Sequence, residues 1–89
     1  MPLSHREEFL ARLQKSNRIQ IPVLIRWKHK LEVNELLRVD ACNAEEGLSQ
    51  EFYVKLGSDG RFVIPKIIIE ELEVKPKDVL EITLYPTTT

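Results

Sequence analysis

The residues Arg18-Ile19-Gln20-Ile21-Pro22 recur 43 positions later as Arg61-Phe62-Val63-Ile64-Pro65. The match extends in both directions without a gap, so that residues 8–41 align with residues 51–84. A repeat that covers most of a chain decides its architecture, because each copy should build the same unit of secondary structure. The aligned core positions are Phe9/Phe52, Leu13/Leu56, Ile21/Ile64, Pro22/Pro65 and Leu37/Leu80.

The length of the chain, 89 residues, is that of one small domain. Either copy alone is near the size at which a chain cannot bury enough apolar surface to fold, so the two copies should share one core. We predict a single domain over residues 1–89, with repeats at 8–41 and 51–84 joined by a linker at 42–50.

Each copy reads as strand–strand–helix–strand. Alternating apolar and polar residues predict a half-buried first strand. The turn after it holds Asn17 in one copy and Gly60 in the other, and both residue types tolerate positive φ, which predicts a simple hairpin. The second strand ends at Pro22 or Pro65, because proline suits the first turn of a helix but not a central ladder. A short helix and a third strand follow.

The second copy carries a motif that resembles a known family. Gly60-Arg61-Phe62-Val63-Ile64-Pro65, followed by Lys77-Asp78-Val79-Leu80-Glu81-Ile82, is similar to the half-barrel unit of the AbrB/SpoVT/MraZ proteins. That unit usually dimerises through swapped hairpins, and many members of the family are DNA-binding regulators. Similar units build RIFT and double-psi barrels. Two copies in one chain imply a monomer that is a fused pseudo-dimer.

The expected fold is mainly β, with two short helices. Closing the six strands about a pseudo-twofold axis would remove open edges and cover the bare apolar face of each copy, which favours a closed barrel. Among the possible threadings, the short turns favour a RIFT-like barrel over a swapped-hairpin or double-psi barrel. Where family members often carry Gly-Asp before the third strand, this chain has Glu35 and Asp78, which we interpret as acids that bind backbone N–H groups.

Charge is divided unevenly although the net charge is only −1. Residues 1–43 hold eight Lys and Arg against five acids, and residues 44–89 hold five against nine. The family resemblance assigns DNA contact to the arginine before x-x-Ile-Pro, which is Arg18 in one copy and Arg61 in the other. Glu70 and Glu71 oppose phosphate binding in the second copy. The full candidate set for nucleic-acid binding is Arg12, Arg18, Arg26, Lys28, Lys30, Lys55 and Arg61.

Trp27 lies among the cations of the first helix and has two interpretations. An indole can stack on a base, beside lysine and arginine side chains that neutralise phosphates. The blander alternative, which we favour from sequence, is that Trp27 caps the barrel while the neighbouring cations face water.

No catalytic or metal-binding pattern is evident. The two histidines are far apart in sequence: His5 is N-terminal, and His29 lies among cations where a solvated surface histidine is the ordinary case. The single Cys42 suggests a reducing compartment and a buried, unreactive thiol. We therefore predict no enzyme activity, no cofactor and no metal.

The sequence-based hypothesis is a cytoplasmic, transcription-regulator-like module that binds double-stranded DNA, with no membrane partner. The alternative is a barrel that has lost DNA binding and binds another protein or a ligand. The acidic second copy is the sequence feature that favours this alternative.

Overall fold

The computed structural model of the chain describes residues 5–87, so residues 1–4 and 88–89 of the predicted domain lie outside it. Each copy has the predicted order strand–strand–helix–strand. Neither helix in the described part is long and apolar enough to cross a membrane. The elements are β1 (Glu7–Arg12), β2 (Arg18–Gln20), α1 (Val23–His29), β3 (Leu36–Asn43), β4 (Leu48–Lys55), β5 (Arg61–Val63), α2 (Lys66–Leu72) and β6 (Val79–Tyr85).

The strands form two antiparallel sheets. One has four strands in the order β1-β6-β3-β4, and the other is a ribbon of β2 and β5. Every ladder joins a strand of the first copy to a strand of the second. The register repeats about a pseudo-twofold axis: Glu8 lies opposite Thr83, and Glu51 lies opposite Asp40, which is the same pair moved by one repeat. Neither copy could build this arrangement alone.

The prediction of a six-stranded closed barrel is wrong. β1 and β4 each pair on one side only, so the four-stranded sheet is open. The ribbon strands are only three residues long, and their hydrogen-bonded ladder pairs them with each other. Beyond that ladder, the described chain has an isolated bridge between Gln14 and Arg18. Because no ladder continues from the sheet onto the ribbon, neither the RIFT-like closure nor its two alternatives is present.

The simple hairpins predicted between the first and second strands are confirmed only at the turn itself, which the Gln14–Arg18 bridge closes in the first copy and the Gly57 N–H bond to the Arg61 carbonyl closes in the second; among the described strands no ladder joins β1 to β2 or β4 to β5. The turn Lys15–Asn17 is a short 3₁₀ segment that carries the chain from the sheet to the ribbon. The expected positive φ is nevertheless confirmed, at 59° for Asn17 and 77° for Gly60. The segment 42–50, predicted as a linker, is mostly strand: β3 runs to Asn43 and β4 begins at Leu48.

One hydrophobic core lies between the sheet and the ribbon. The ribbon contributes Ile19 and Phe62, and the sheet contributes residues such as Val39 and Ile82, all of them at most 1% exposed. Burying a side chain of this size contributes about 1.5–3 kcal/mol relative to leaving it in water. The shared core explains why the apolar positions of the two copies stayed alike.

The loops before the third strands confirm the interpretation of the two acids. The Glu35 carboxylate accepts a hydrogen bond from the Glu32 backbone N–H at 3.0 Å. In the second copy the Asp78 carboxylate accepts one from Lys75 N–H, also at 3.0 Å. Each acid satisfies a backbone donor that a tight connection would otherwise leave unpaired.

Candidate nucleic-acid interface

Arg18 and Arg61 lie on the same face of the β2–β5 ribbon. Ile19 and Phe62 point into the core, and in a strand the neighbouring residues point the other way. Arg18 is opposite Val63 and Arg61 is opposite Gln20, so the two arginines are related by the pseudo-twofold axis at the centre of the ribbon. The structure therefore brings together the two arginines that the repeat placed 43 residues apart.

The Asp59 carboxylate lies beside the arginines. Asp59 precedes β5 and accepts a hydrogen bond from the Arg61 guanidinium. Partial desolvation raises the pKa of Asp59, but the Arg61 hydrogen bond and the charges of Arg61 and Arg18 together hold the pKa below its usual range. The Gln20 amide donates to the Asp59 backbone carbonyl at 3.1 Å and fixes this turn beside the ribbon.

Helix α1 borders the ribbon through Arg26. The Arg26 Nε–H donates to the Ile21 carbonyl at 3.2 Å, and the guanidinium packs on Gly60, where a side chain would meet it. The helix begins after Pro22 and ends at Lys30, which takes a left-handed conformation with φ 51°. The chain thus holds Arg26 against the turn that leads into β5.

Trp27 is 71% exposed, so the sequence-based interpretation that it caps the core is wrong. Its indole borders an open cleft of about 530 Å³ between α1 and the turn before β5. The cleft combines two cationic side chains, the Glu32 carboxylate, an aromatic ring and apolar walls. Its lining residues include Arg26, Trp27, Lys30, Leu31, Val33 and Gly57.

The other predicted contact residues lie apart from the ribbon. Arg12 and Lys55 are the last residues of β1 and β4, on the solvent-facing side of the four-stranded sheet. The Arg12 guanidinium donates to the Lys77 carbonyl at 2.9 Å. Lys28 is on α1, and its ammonium lies 3.0 Å from the Glu7 carboxylate. The ribbon and α1 are thus a more compact cationic surface than the full predicted set.

Helix α2 carries Glu70 and Glu71 at the positions where α1 carries Trp27 and Lys28. Glu70 and Glu71 are both exposed, and Glu71 accepts a hydrogen bond from the Gln50 side chain at 3.3 Å. The basic surface is therefore one-sided: it covers the ribbon and α1 but does not continue onto α2.

Sequence reasoning missed a cluster formed by His5, Glu7 and His29. His29 is only 5% exposed, so the expectation of a solvated histidine was wrong. Its Nε2 lies 2.7 Å from Glu7 Oε2, and His5 Nε2 lies 3.3 Å from the same oxygen. The His29 and then the Lys28 hydrogen bonds, together with their charges, outweigh desolvation and hold the pKa of Glu7 below its usual range.

A signal for this cluster was present in the repeat. His29 aligns with Leu72, and Glu7 aligns with Gln50, if the alignment is extended one residue beyond the start of the second copy. A histidine that replaces a core leucine is a candidate for burial. Its partner could not be inferred from spacing, because β1 and α1 are brought together only by the fold.

Cys42 is half-buried on β3 rather than fully buried as predicted. Desolvation, and then the charges of Glu81 and Asp40, raise the pKa of its thiol. Because the thiolate is the reactive form, this environment agrees with the prediction of an unreactive thiol.

Comparison with known proteins identifies the fold but no family. No protein-family model matches the chain, and no curated protein matches its sequence. The solution structure of PHS018 from Pyrococcus horikoshii is similar, with a TM-score of 0.79 and 23% sequence identity over 100% of both chains. At this identity, the likeness shows a shared fold alone.

Proposed function

We propose that the protein is a non-enzymatic DNA-binding module of the regulator type, and that the outer face of the β2–β5 ribbon and the adjoining α1 contact the duplex. One observation carries the proposal: Arg18 and Arg61 share one solvent-facing surface at the pseudo-twofold axis. A surface with this symmetry suits duplex DNA, whose two phosphate backbones are themselves related by local twofold axes.

The ribbon and α1 have the chemistry that such a contact needs. Arg18, Arg26 and Arg61 offer guanidinium groups for phosphate oxygens, which they can bind through two parallel hydrogen bonds. The exposed Trp27 indole can pack on a sugar or a base. Release of counterions from the phosphates would supply most of the binding free energy, so affinity should fall steeply with salt.

The single Asp59 carboxylate limits this surface. It engages Arg61 and lies in the electrostatic field of Arg18, so it lowers the positive potential at the axis. The acidic residues of α2 repel phosphates, so we expect the duplex to contact the ribbon and α1 and not α2. Both features predict binding that is weaker than that of a uniformly basic protein with the same symmetry.

The test is a titration of a fluorescently labelled, random-sequence duplex, followed by anisotropy between 50 and 200 mM salt. We expect a linear fall of log affinity with log salt concentration. The double variant R18A/R61A should bind more weakly at 50 mM salt and should reduce the salt slope by about 2. Asp59→Asn should bind more tightly than the unmodified chain, because it removes the anion that pairs with Arg61 and lies in the field of Arg18.

The matched control is Arg38→Ala. Arg38 has the same charge but lies on the solvent-facing side of the four-stranded sheet, where it pairs with Glu51 at 3.0 Å. This variant should leave the salt slope unchanged. An absence of binding at 50 mM salt, or an equal loss in Arg38→Ala and R18A/R61A, would overturn the proposal.

The solvent-facing side of the four-stranded sheet supports a second candidate, which is binding of a basic protein. Glu8, Thr83, Asp40 and Glu51 form one cross-strand row there. An affinity column that carries the R18A/R61A variant should retain a protein partner that binds this row. A column that carries a Glu8→Gln/Glu51→Gln variant should not retain it. If neither column retains a protein and the unmodified chain binds DNA, the first candidate is favoured instead.

A further inference from the structure

The His5–Glu7–His29 cluster has no counterpart in the second copy. Leu72 is completely buried at the place of His29, and Gln50 stands at the place of Glu7. The helix-to-strand contact is otherwise preserved: Lys28 reaches Glu7 in one copy, and Glu71 reaches Gln50 in the other. The fold therefore forms this contact with the non-ionisable Leu72 and Gln50 at the places of His29 and Glu7, so the architecture does not require the cluster.

The three side chains converge on one point. His29 Nε2 is 2.7 Å and His5 Nε2 is 3.3 Å from Glu7 Oε2, and one ligand atom from each residue lies within 4.8 Å of the others. The two imidazole rings meet edge to face, with their centroids 4.6 Å apart. The His29 side chain is 1% exposed and the Glu7 side chain 15% exposed, while His5 is on the open side at 56%.

Two imidazole nitrogens and one carboxylate oxygen are a ligand set that zinc accepts, with bonds of about 2.0–2.2 Å. Ligand atoms around a tetrahedral ion of that bond length are about 3.3–3.6 Å apart. The 3.3 Å between Glu7 Oε2 and His5 Nε2 fits this spacing, whereas the 2.7 Å between Glu7 Oε2 and His29 Nε2 is a hydrogen bond that must lengthen when the ion enters. The open side at His5 gives an ion a path into the cluster. Imidazole nitrogen also selects against Mg²⁺ and Ca²⁺, which prefer oxygen ligands.

We propose that His5, Glu7 and His29 bind a divalent transition-metal ion of the zinc type, with a fourth coordination position left to solvent or to an external ligand. The proposal does not rest on DNA binding: none of the three residues lies on the ribbon, and His29, the one that lies on α1, is buried. The burial of His29 and Glu7 would hold two of the ligands in place before the ion arrives, which reduces the ordering that binding requires.

The Lys28 side chain opposes a cation at this site. Its ammonium lies 3.0 Å from the same Glu7 oxygen, and its side chain is 57% exposed. An exposed lysine can move into water when an ion takes its place, since an ion pair with an exposed lysine contributes little to stability. Removing this competing charge should therefore tighten metal binding, an effect that a purely structural ion-pair cluster would not produce.

The experiment is isothermal titration of the tag-free chain, stripped with chelator, with ZnCl₂ at pH 7.5. Absorption spectra of the Co²⁺-loaded chain report the ligand geometry. We expect one ion per chain, no competition by excess Mg²⁺, and tighter binding by Lys28→Ala. His29→Leu and Glu7→Gln should each weaken binding by more than about 100-fold, because loss of a direct ligand should exceed the effect of losing an outer-shell partner.

Both ligand variants reproduce residues that the second copy already carries, so we expect them to fold. Gln50→Ala, at the position equivalent to Glu7, and Cys42→Ser are the matched controls and should bind Zn²⁺ as tightly as the unmodified chain. The proposal is overturned if the unmodified chain takes up no Zn²⁺ at millimolar concentration, or if His29→Leu binds it with unchanged affinity.

Discussion

Helices α1 and α2 occupy equivalent places, yet they differ in almost every side chain that the solvent or a partner would meet. Both follow a proline and both end at a residue in the left-handed conformation, Lys30 with φ 51° and Glu73 with φ 56°. The four positions that precede these ends are Arg26, Trp27, Lys28 and His29 in α1, and Ile69, Glu70, Glu71 and Leu72 in α2.

The contrast shows that the backbone path of this helix depends on only a few side chains. The two copies share three features around each helix: a proline before it, a chain reversal after it and an inward apolar residue. These three features suffice to place the helix. The remaining positions were free to diverge, one copy toward cations and the other toward acids. We therefore expect the residues that differ between the copies to determine function, and the residues that the copies share to determine stability.

Exchanging the buried residues that differ between the two helices should have the greatest effect on stability. Leu72→His places an imidazole in an apolar site beside Gln50, which offers no carboxylate. We expect a loss of about 3 kcal/mol in the free energy of unfolding, from lost apolar packing and an unpaired polar group. Urea denaturation followed by the fluorescence of Trp27, the single tryptophan of the chain, measures it.

The reciprocal variant, His29→Leu, is the control and should change stability by less than about 1.5 kcal/mol, as for other swaps of similar volume. Adding Gln50→Glu to Leu72→His recreates the Glu7–His29 pair in the second copy and should recover part of the loss. If His29→Leu were the more damaging of the two single variants, the buried histidine would be a structural necessity.

The turns before the second strands also differ between the two copies. Gly60 has φ 77° and packs against the Arg26 guanidinium, whereas the equivalent Asn17 has φ 59° and faces a copy that carries Ile69 in place of Arg26. Gly60→Ala should cost about 1–2 kcal/mol for the left-handed backbone alone, with a further loss from displacing Arg26. Thermal unfolding of the two alanine variants measures the difference. Equal losses in Gly60→Ala and Asn17→Ala would show that the Arg26 contact adds nothing.

The smallest expected effect concerns charge at the pseudo-twofold axis of the sheet. Asp40 lies opposite Thr83 on one side and Glu51 on the other, so one copy has an acid where the other has a neutral side chain. Desolvation, and then the Glu51 charge, raise the pKa of Asp40. An acid with a raised pKa in the folded state destabilises that state when ionised, and the penalty disappears as the pH falls through the folded and then the unfolded pKa.

Asp40→Asn should therefore stabilise the protein at pH 7 by about 0.5 kcal/mol, the usual size for like charges on paired strands. The gain should shrink toward zero near pH 3, where the Asp40 carboxyl is protonated in both states. Melting temperatures of both chains across this pH range give the comparison. A gain that is the same at pH 3 and pH 7 would assign the effect to packing and not to charge.

Much of the local structure could be predicted because it depends on neighbours in sequence. The strand–strand–helix–strand order follows from alternation and from Pro22 and Pro65, and the backbone contacts of Glu35 and Asp78 follow from their place in short loops. The pairing of strands could not be predicted, since an antiparallel ladder can join any two strands of suitable pattern. The chain pairs β1 with β6 and not with β2, and the predicted barrel does not form.

The same division holds for the candidate sites. The repeat singled out Arg18 and Arg61, but only the β2–β5 ladder shows that they share a face. The sequence contained His5, Glu7 and His29 without a recognisable spacing, because metal ligands on different elements are related by the fold and not by the chain.

The duplicated unit, the order of its strands and helix, and the apolar positions that both copies must bury could all be read from the chain. Three features arise only on folding: every strand ladder joins one copy to the other, the four-stranded sheet stays open, and His29 is buried against Glu7. Dihedral preferences and side-chain alternation act over a few residues, whereas pairing and burial depend on which distant segments exclude water together.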